Sequence, residues 1–426
     1  MRLEHRTEAN EALARQFPIH IGVDTGKTFH KLVARGPDGR RLKAVRVDVS
    51  RAGFDAAHAY LRTTFPDFTA EQMLVGIEFA GHHGFTFAHE LHRRGYRIVN
   101  VLPSVTKKLK ELEDNSPRKD DDKDAGQICK LLASGLFVSF PFLDEVGSEL
   151  RTLTTERQRI TVEETRLKNK LHAALDLAWP EFVAQFCRID KPTPMAMLRE
   201  WPLPGDMAKA PPRSVRSLVK RVSRNHFTRE EMDGMIASAR DTIAVRIGAE
   251  SRRAEVRRLL ARWDLAREQM EAIDVRLTEL IEAYPGAKAL TTIPGVGVVC
   301  AATLVAELGT PDSYVAPRQV LKLAGMNLAG RESGTSVRGR IKQTKRGRPL
   351  LRRQLFLLAG RWCSKRGLYR EQYLALCARN GNKKVSAMCA IARKLVPMLL
   401  HVVQTAEPFD EARWKAAHGG APDKAA

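Results

Sequence analysis

The chain has 426 residues, 43% of them apolar, which is enough for two or three domains with cores of their own. Lys and Arg outnumber Asp and Glu by 71 to 49, and the net charge of +22 favours a polyanionic partner, either nucleic acid or an anionic membrane surface. No apolar run approaches the ~18 residues of a membrane span, and the N-terminus lacks a signal-peptide pattern. The six cysteines are scattered and include no CxxC pair. They favour reduced thiols in a cytoplasmic protein over disulfides or a zinc site.

The first 16 residues are expected to be a short extension, and 17–140 to form an α/β domain. Alternating stretches separated by turns predict a three-stranded antiparallel meander: HIGVDTGK (20–27), FHKLVARG (29–36) and RLKAVRVDV (41–49). MLVGIEF (73–79) is nearly continuously apolar, which is typical of a strand buried in a mixed sheet. The remaining predicted elements are helices over 53–65 and 84–94, a strand over 96–102, and a helix from about Asp120 to Leu132.

The middle of the chain, 141–285, changes to a helical period. Two charged segments, 146–174 and 256–280, carry narrow apolar stripes of the kind found in coiled coils, and Arg157 interrupts the first stripe, as does Glu164. The stripes could pair between subunits or within the chain as an antiparallel hairpin. Between them, 188–250 holds proline-rich joints and a basic stretch, which predicts an insertion of short helices.

The third part, 286–405, is predicted to be mainly helical. LTTIPGVGVVCAATLVAELG (290–309) places apolar residues around a Gly-Val-Gly turn before a helix, which indicates a helix-hairpin-helix. Its Gly295 and Gly297 would offer backbone N–H groups to phosphates, although an ordinary helix turn fits the same pattern. The polar end of the chain, 406–426, is expected to be a flexible tail.

Acidic residues stand at the ends of several predicted elements. Asp24 ends the first strand, Glu78 ends the short buried strand, and Asp121 and Asp124 lie three residues apart on one helix face. If the two strands are neighbours, as in a ribonuclease-H-like sheet, the carboxylates meet at one edge and require cations. Oxygen ligands favour Mg²⁺, with Mn²⁺ as a substitute, over zinc.

Each acid also has a purely structural interpretation. Asp-Thr-Gly favours a turn at Asp24, and one or two aspartates at a helix start act as N-caps or offset the helix dipole. Glu78 is harder to explain in this way, because a carboxylate directly after the apolar run LVGI is costly without a partner. The combination of the acids with the strands therefore favours a metal site.

Three segments, HIGVDTGKTFHKL, GIEFAGHHG and KDDDKDAGQI, resemble the acidic blocks of the DEDD-type transposases of bacterial insertion sequences, the family named after insertion sequence one-hundred-and-ten. The resemblance covers about 17–135 and 286–400 and implies a RuvC-like N-terminal domain. It implies that the catalytic and metal-binding acids are Asp24, Glu78, Asp121 and Asp124.

LAGMNLAGRESGTSVRGRIKQTKRGRPLLRR resembles the segment of that family which carries its nucleophilic serine, and the serine falls here on Ser333. Ser336 lies three residues further on, and the chain departs from the family pattern at Met326 and at 327–329. The resemblance implies that Ser333 forms a phosphoserine link to DNA. A loop serine bonded to backbone is the structural alternative.

The segment 331–353 holds nine Lys or Arg against one Glu. A run of charge is often only a solvated face, but this excess in a chain of net charge +22 indicates contact with nucleic-acid backbone. The residues expected to make that contact are Arg338, Arg340, Lys342, Lys345, Arg346, Arg348, Arg352 and Arg353.

The resemblance implies a bacterial, cytoplasmic and nucleoid-associated recombinase that acts on donor and target DNA, guided by a structured bridge RNA, as a homodimer or tetramer without a membrane partner. Two other functions remain open. One is a hydrolytic, structure-specific nuclease, such as a Holliday-junction resolvase, that uses the carboxylates alone. The other is a noncatalytic nucleic-acid scaffold.

Overall fold

A computed structural model of the chain describes residues 3–79, 81–113, 121–140, 142–186, 188–329, 332–333, 337–338 and 342–418. The chain folds into two compact units, Met1–Phe142 and Leu143–Ala426. The first is a mixed α/β unit and the second is mostly helical.

The first unit contains six strands and five α-helices among its described residues. In chain order they are α1 (Leu3–Arg15), β1 (Ile19–Thr25), β2 (Phe29–Arg35), β3 (Val45–Asp48), α2 (Arg51–Thr64), β4 (Met73–Glu78), α3 (Phe85–Arg93), β5 (Arg97–Asn100), α4 (Pro103–Glu113), α5 (Asp121–Ala133) and β6 (Val138–Ser139). The predicted strands and helices of this unit are confirmed to within a few residues. Helices α1 and α4 and strand β6 were not predicted from the sequence.

The strands form one sheet in the order β3-β2-β1-β4-β5-β6. Strands β1, β2 and β3 pair antiparallel, which confirms the predicted meander. Strand β4 is parallel to β1 and β5 is parallel to β4, and parallel neighbours need the helical crossovers that α2 and α3 provide. Strand β1, which carries Asp24 one residue before its end, therefore lies beside β4, which ends in Glu78.

Both faces of this sheet are covered. On one face, Phe54 and Leu61 of α2 and Phe87 of α3 pack in the same cluster as Ile21 and Ile77. On the other face, α5 and α1 pack with the even-numbered residues of β4, in a cluster that includes Ala14, Leu74, Ile128 and Leu132. This division follows from the alternation of side chains along a strand.

In its described ranges, the second unit is helical apart from two short strand pairs. Its elements are α6 (Glu145–Ala178), α7 (Pro180–Gln185), α8 (Pro192–Glu200), α9 (Pro204–Lys209), α10 (Pro212–Ser223), α11 (Arg229–Arg240), α12 (Ala249–Ala283), α13 (Pro285–Leu290), α14 (Val298–Leu308), α15 (Pro317–Leu323), β7 (Leu328–Ala329), β8 (Glu332–Ser333), β9 (Val337–Arg338), β10 (Lys342–Gln343), α16 (Pro349–Trp362), α17 (Arg370–Arg379), α18 (Lys384–Thr405) and α19 (Glu411–His418).

The long helices α6 and α12 pack against each other within the chain. Ion pairs join residues whose numbers rise along α6 and fall along α12, which makes the pair antiparallel: Glu149–Arg276, Arg157–Asp274 and Glu163–Arg262. Of the two arrangements left open by the sequence, the intramolecular hairpin is the one found. A supercoiled coiled coil, and any pairing between subunits, stay predictions.

The two polar residues that interrupt the stripe of α6 both contact α12. Arg157 donates two hydrogen bonds to the Asp274 carboxylate, at 2.5 and 2.9 Å. Glu164 accepts a hydrogen bond from the indole nitrogen of Trp263 at 3.2 Å. Because each polar group has a partner on the facing helix, the interruptions set the register of the hairpin without leaving a lone buried charge.

The predicted insertion, 188–250, contains the short helices α8 to α11. Met197, Met207 and Val219 are fully buried there, so the insertion contributes to the core of the second unit. A turn at 291–297 joins helices α13 and α14. This is the order of turn and following helix that was expected for 290–309. The finer assignment of a helix-hairpin-helix stays a prediction.

The C-terminal part of the chain contains helices α18 and α19. Helix α18 is the one helix in the described ranges that is long and apolar enough to cross a membrane by length and composition, but its Ile391 and Leu395 are fully buried in the core of the second unit. Helix α19 lies within the predicted flexible tail. The Trp414 ring centroid lies 4.9 Å from that of Tyr369 and 5.5 Å from that of Trp362, and the flexibility of 406–426 stays a prediction.

Five of the six cysteines lie in the described part of the chain, and all five are free. Cys129, Cys300, Cys363 and Cys377 are buried, as expected for reduced core thiols, while Cys389 is half-buried. Cys187 lies outside the described residues.

Candidate active site

Two glycines form a shallow seat for helix α5 on the sheet. Gly22 of β1 and Gly76 of β4 are partners in the parallel register. A Cβ at Gly22 would lie under 3.0 Å from the carbonyl oxygen of Ala125 and the amide nitrogen of Cys129. A Cβ at Gly76 would lie 2.8 Å from the Leu132 side chain. Only glycine therefore lets the backbone of α5 lie directly on these strands.

Asp24 and Glu78 follow the two glycines by two residues each and are also register partners. Since residues i and i+2 of a strand share a face, both acids lie on the face that α5 covers. Both are half-buried, and the Thr25 hydroxyl donates to the Glu78 carbonyl at 2.8 Å, which ties the two strand ends together. The predicted juxtaposition of these two positions is thus observed.

Helix α5 supplies the other two predicted acids. It begins at Asp121, and Asp124 directly precedes Ala125, whose carbonyl lies over Gly22. The half-buried carboxylate of Asp124 pairs with the ammonium group of Lys110 at 2.5 Å. Lys110 comes from α4, so a cation already lies at the acid that the prediction assigns to a metal. Asp120 lies outside the described residues.

The thiol of Cys129 anchors α5 to the meander. Cys129 lies one helical turn beyond Ala125 in α5, and its thiol donates a hydrogen bond to the Val33 carbonyl of β2 at 3.1 Å. Burial raises the pKa of this thiol to about 12, so it stays protonated and acts as a small core group rather than as a nucleophile or metal ligand.

In the part of the chain that the structure describes, no three Asp, Glu, His or Cys side chains are close enough to form a metal-binding group. The chemistry of the predicted donors nevertheless fits a hard divalent cation. Asp24, Glu78 and Asp124 offer only carboxylate oxygens, two of them at adjacent strand ends and the third already bound to a cation. The metal and its ligands stay a prediction.

The predicted nucleophile lies in the second unit, on a short β-hairpin. Ser333 ends strand β8 and pairs with Val337 of β9 across the connection 334–336. Strands β7 and β10 also pair, Leu328 with Gln343 and Ala329 with Lys342. Both Gly334 and the alternative nucleophile, Ser336, lie outside the described residues.

The base of this segment is held by close backbone packing. Gly325 has a left-handed conformation, φ 66°, and a Cβ there would lie 2.8 Å from the Lys345 backbone. The Lys345 amide donates to the Gly325 carbonyl at 2.9 Å, and the Arg348 amide donates to the Leu323 carbonyl at 2.7 Å. The Leu-Ala-Gly and Lys-Arg-Gly stretches that carry the family resemblance are therefore packed together.

The basic run divides into two groups in the structure. Lys342, Lys345 and Arg346 are exposed. The others described bond within the protein: Arg348 to the Glu307 carbonyl at 2.5 Å, Arg352 to the Ala324 carbonyl at 2.8 Å, and Arg353 to the Gln158 amide oxygen at 2.6 Å. Arg338 lies in β9, and Arg340 falls outside the described residues. The first group is the better placed for an external phosphate.

The Ile-Pro-Gly-Val-Gly turn is fixed by helix α16. Trp362 donates from its indole nitrogen to the Pro294 carbonyl at 2.6 Å, and Arg361 donates to the Gly295 carbonyl. Gly295 has φ 85°, which glycine adopts most readily. Gly297 is the N-cap of α14, with open space where a side chain would lie. This open helix start leaves room for a phosphate, and phosphate binding there stays a prediction.

Two features of the site were missed from the sequence. The repeated Gly-x-acid spacing of Gly22-Val23-Asp24 and Gly76-Ile77-Glu78 was a usable signal, because strands in register place equal spacings side by side. Lys110 gave no comparable signal. It is one of three lysines on α4, and only the packing of α4 against α5 selects it.

Models of known protein families match segments in both units of the chain. A family model described as a transposase, of the DEDD type of insertion element IS110, matches residues 21–180, and a model of the transposase IS116/IS110/IS902 family matches residues 287–374. An uncharacterized 43.6 kDa protein of insertion element IS110 from Streptomyces coelicolor is 26% identical over 93% of this chain and 96% of its own length. An uncharacterized 44.8 kDa protein of insertion element IS116 from Streptomyces clavuligerus is 25% identical over 92% of this chain and 96% of its own length. The chain belongs to the IS110 family of insertion-element transposases and is a DNA transposase.

Proposed function

We propose that this transposase cuts and rejoins DNA with two sets of residues: the carboxylates Asp24, Glu78, Asp121 and Asp124, and the nucleophile Ser333. The observation that carries the proposal is the in-register pair of Asp24 and Glu78 on the sheet face covered by α5, the helix that holds the other two acids. Two acids at adjacent strand ends are costly unless a cation binds them.

The four carboxylates would hold Mg²⁺, or Mn²⁺ in its place. A bound divalent metal would neutralise the acids and polarise a phosphoryl oxygen. The protein's own contribution is the placement of the ligands, since the Gly22–Gly76 seat brings α5 onto the strands and Thr25 joins their ends. Lys110 would release or share Asp124 when a metal binds.

The Ser333 hydroxyl would attack a DNA phosphorus and lose its proton as the new P–O bond forms. The bond from phosphorus to one deoxyribose oxygen breaks, and that oxygen takes up a proton. One P–O ester bond to serine thus replaces one P–O ester bond to deoxyribose. Because the number of ester bonds is unchanged, a deoxyribose hydroxyl can later displace the serine and rejoin the DNA without a nucleotide cofactor. Neighbouring Arg331, Arg338 and Arg340 would offset phosphate charge.

Nucleic acid would lie along the exposed cations Lys342, Lys345 and Arg346, with Arg338 and Arg340 from the same stretch. These contacts are to backbone and carry no sequence information. We therefore propose that a structured bridge RNA supplies target choice by base pairing, and that the enzyme works as a dimer or tetramer in the bacterial cytoplasm.

The decisive experiment traps a covalent protein–DNA species on a DNA substrate that carries the ends of the insertion element. Ser333→Ala should abolish this species while DNA binding persists, and Ser336→Ala, the matched control, should keep it. Asp24→Asn and Glu78→Gln should each slow strand cleavage at least about a hundredfold, because charge stabilisation at phosphorus is worth several kcal/mol. If Ser333→Ala still cuts and rejoins DNA, the serine assignment is wrong.

The second candidate is a hydrolytic nuclease that uses the carboxylates alone. The Asp24–Glu78 geometry would serve it equally well, since nuclease and recombinase share the cleavage step. The two are separated by the product: hydrolysis leaves free DNA ends and no protein-linked DNA even under denaturing conditions. Normal metal-dependent cleavage by Asp24→Asn and Glu78→Gln would exclude both candidates.

A further inference from the structure

Helix α10 (Pro212–Ser223) lies in the insertion, outside both segments matched by the family models. One of its faces is committed to the protein interior, where Val215 and Val219 are fully buried. The helix packs against α8 and α11 through this face. Its role is thus not explained by the catalytic residues, which all lie elsewhere in the chain.

The opposite face of α10 is a row of exposed cations: Arg213, Lys220, Arg221 and Arg224, the last as the C-cap residue. At about 100° per residue, the four fall within an arc of about 100°, centred opposite the two valines. Among the described residues none of the four has an ion-pair or hydrogen-bond partner, whereas Arg216, at the edge of the row, pairs with Asp233 at 2.5 Å. We name these four residues the α10 basic face.

The charge of the insertion is concentrated on this helix. Residues 188–250 contain twelve Lys or Arg and eight Asp or Glu. Five of the twelve cations and none of the acids lie between 212 and 224. The rest of the insertion is close to neutral, so its positive surplus comes from α10.

Helix stability does not account for the row. The neighbouring helices have acids in their first turns and a cation in their last turns: α9 has Asp206 and Lys209, and α11 has Glu230 and Glu231, which outnumber its first residue Arg229, and then Arg240. Lys220 and Arg221 fit that rule in the last turn of α10, but Arg213 lies in the first turn, where a cation is unfavourable. Like charges at i and i+4, as at Lys220 and Arg224, add further repulsion.

The chemistry of the row selects its partner. An amphipathic basic helix binds a membrane through its apolar face, and here that face is buried in the protein. From Arg213 to Arg224 the row spans about 16 Å at 1.5 Å per residue. Duplex DNA presents one phosphate charge per ~1.7 Å of axis, so a straight row of cations of this length meets several phosphates.

We propose that the α10 basic face binds the phosphodiester backbone of a nucleic-acid duplex, as a second contact separate from the catalytic residues. The contact has no sequence preference, since it involves charge alone. It does not depend on the assignment of Ser333 or of the metal ligands.

The test uses the full-length protein in a Ser333→Ala background, so that binding is measured without cleavage. The variant Arg213→Gln/Lys220→Gln/Arg221→Gln/Arg224→Asn removes the charges, with Asn at 224 because that position has φ 54°. The matched control, Arg213→Lys/Arg221→Lys/Arg224→Lys, keeps them. Affinity for a duplex DNA and for a duplex RNA of the same sequence is measured by fluorescence anisotropy across a NaCl series.

The neutralised variant should bind at least about tenfold more weakly at moderate salt, with a slope of log K against log salt that is shallower by about 3, while the lysine control binds like the parent. Loss on DNA alone assigns the face to DNA, and loss on RNA alone assigns it to RNA. Unchanged affinity and slope for both duplexes, with unchanged thermal stability, would overturn the proposal. A failure of the serine assignment would leave this result untouched.

Discussion

At the scale of single residues, Gly22 determines where helix α5 lies and therefore where Asp124 lies. No side chain fits between β1 and the Ala125 carbonyl, so an added methyl group must push the helix away from the sheet. The same displacement would move Asp124 relative to Asp24, two residues from Gly22 on the same strand face.

Gly22→Ala should destabilise the first unit by about 1–3 kcal/mol, the usual cost of overpacking, and should reduce DNA cleavage. Gly234→Ala is the matched control, because nothing lies within 4 Å of the added carbon in helix α11. It should be neutral or stabilising by up to about 1 kcal/mol. Denaturant unfolding compares the two. A Gly22→Ala protein of unchanged stability would contradict the seat described for α5.

His30 makes the first unit sensitive to acid. It is fully buried between Phe54 and Phe87, and neither ring nitrogen has a hydrogen-bond partner in the described structure. Burial, with a smaller contribution from His83, lowers the pKa of His30 from 6.5 to about 4. The unfolded chain therefore binds the proton first as the pH falls, and stability is lost between about pH 6.5 and pH 4.

His30→Phe should remove most of this loss, which at 1.36 kcal/mol per pKa unit is about 3 kcal/mol over the whole range and about 2 kcal/mol between pH 7 and pH 5. Some slope should remain, because burial also lowers the pKa of His20. Urea unfolding at pH 7 and pH 5 measures the difference, with His226→Phe, an exposed position, as the control. Equal pH slopes in the parent and in His30→Phe would show that His30 does not titrate on unfolding.

Lys110 would compete with a metal for Asp124, if Asp124 is a metal ligand as proposed. Its ammonium group already neutralises the carboxylate at 2.5 Å, so removing that charge should strengthen metal binding. Lys110→Gln should bind Mn²⁺ several-fold more tightly by titration calorimetry. Lys107→Gln, which removes an equal charge from the exposed side of the same helix, should not. Weaker Mn²⁺ binding in Lys110→Gln would mean that the lysine supports the site rather than competes for it.

At the scale of secondary-structure elements, the α6–α12 hairpin contains two kinds of ion pair. The Arg157–Asp274 pair is partly buried and bidentate, whereas the Glu163–Arg262 pair is about half exposed on both sides. Hydrogen bonding to Asp274 raises the pKa of Arg157, so the guanidinium stays charged and needs its partner. The two pairs allow a matched comparison within one hairpin.

Asp274→Asn should cost about 1–3 kcal/mol, because it leaves a partly buried cation without its charged acceptor. Glu163→Gln should cost less than about 1 kcal/mol, as exposed pairs contribute little. Guanidinium unfolding, which screens exposed pairs, should accentuate the contrast. Equal costs would indicate that the register of the hairpin depends on apolar packing alone.

The spacing of apolar residues predicted the strands and helices well, because it reflects which side chains are buried. In a regular strand or helix the buried side chains recur at a fixed spacing. Alternation predicted β1 and β2, and the apolar run of 73–79 predicted β4. Whether the apolar stripes of 146–174 and 256–280 would pair within one chain could not be read from spacing, because one stripe fits either partner. The Arg157–Asp274 contact shows that the stripes pair within the chain, while pairing between subunits stays a prediction. Helix α4, which supplies Lys110, was missed, although its Val105 and Leu109 lie four residues apart and pack against the core of the first unit.

At the scale of the whole molecule, each unit has a hydrophobic core of its own. The sheet clusters of the first unit draw on Ile21, Phe87 and Leu132, among others. The large cluster of the second unit runs from Leu150 to Val403. Catalysis is predicted to use residues of both units, so a change that destabilises one unit can abolish activity without unfolding the other.

Hydrogen–deuterium exchange of the full chain should therefore resolve two sets of amides with separate stabilities. At pH 5, His30→Phe should slow exchange in the strands of the first unit and leave α6 and α12 unchanged. Asp274→Asn should speed exchange in α6 and α12 and leave β1 and β4 unchanged. Each mutation serves as the control for the other, because both act on cores within the same molecule. If either mutation changed the exchange rates of both sets of amides equally, the chain would unfold as one cooperative unit. The two hydrophobic cores would then not have independent free energies of unfolding.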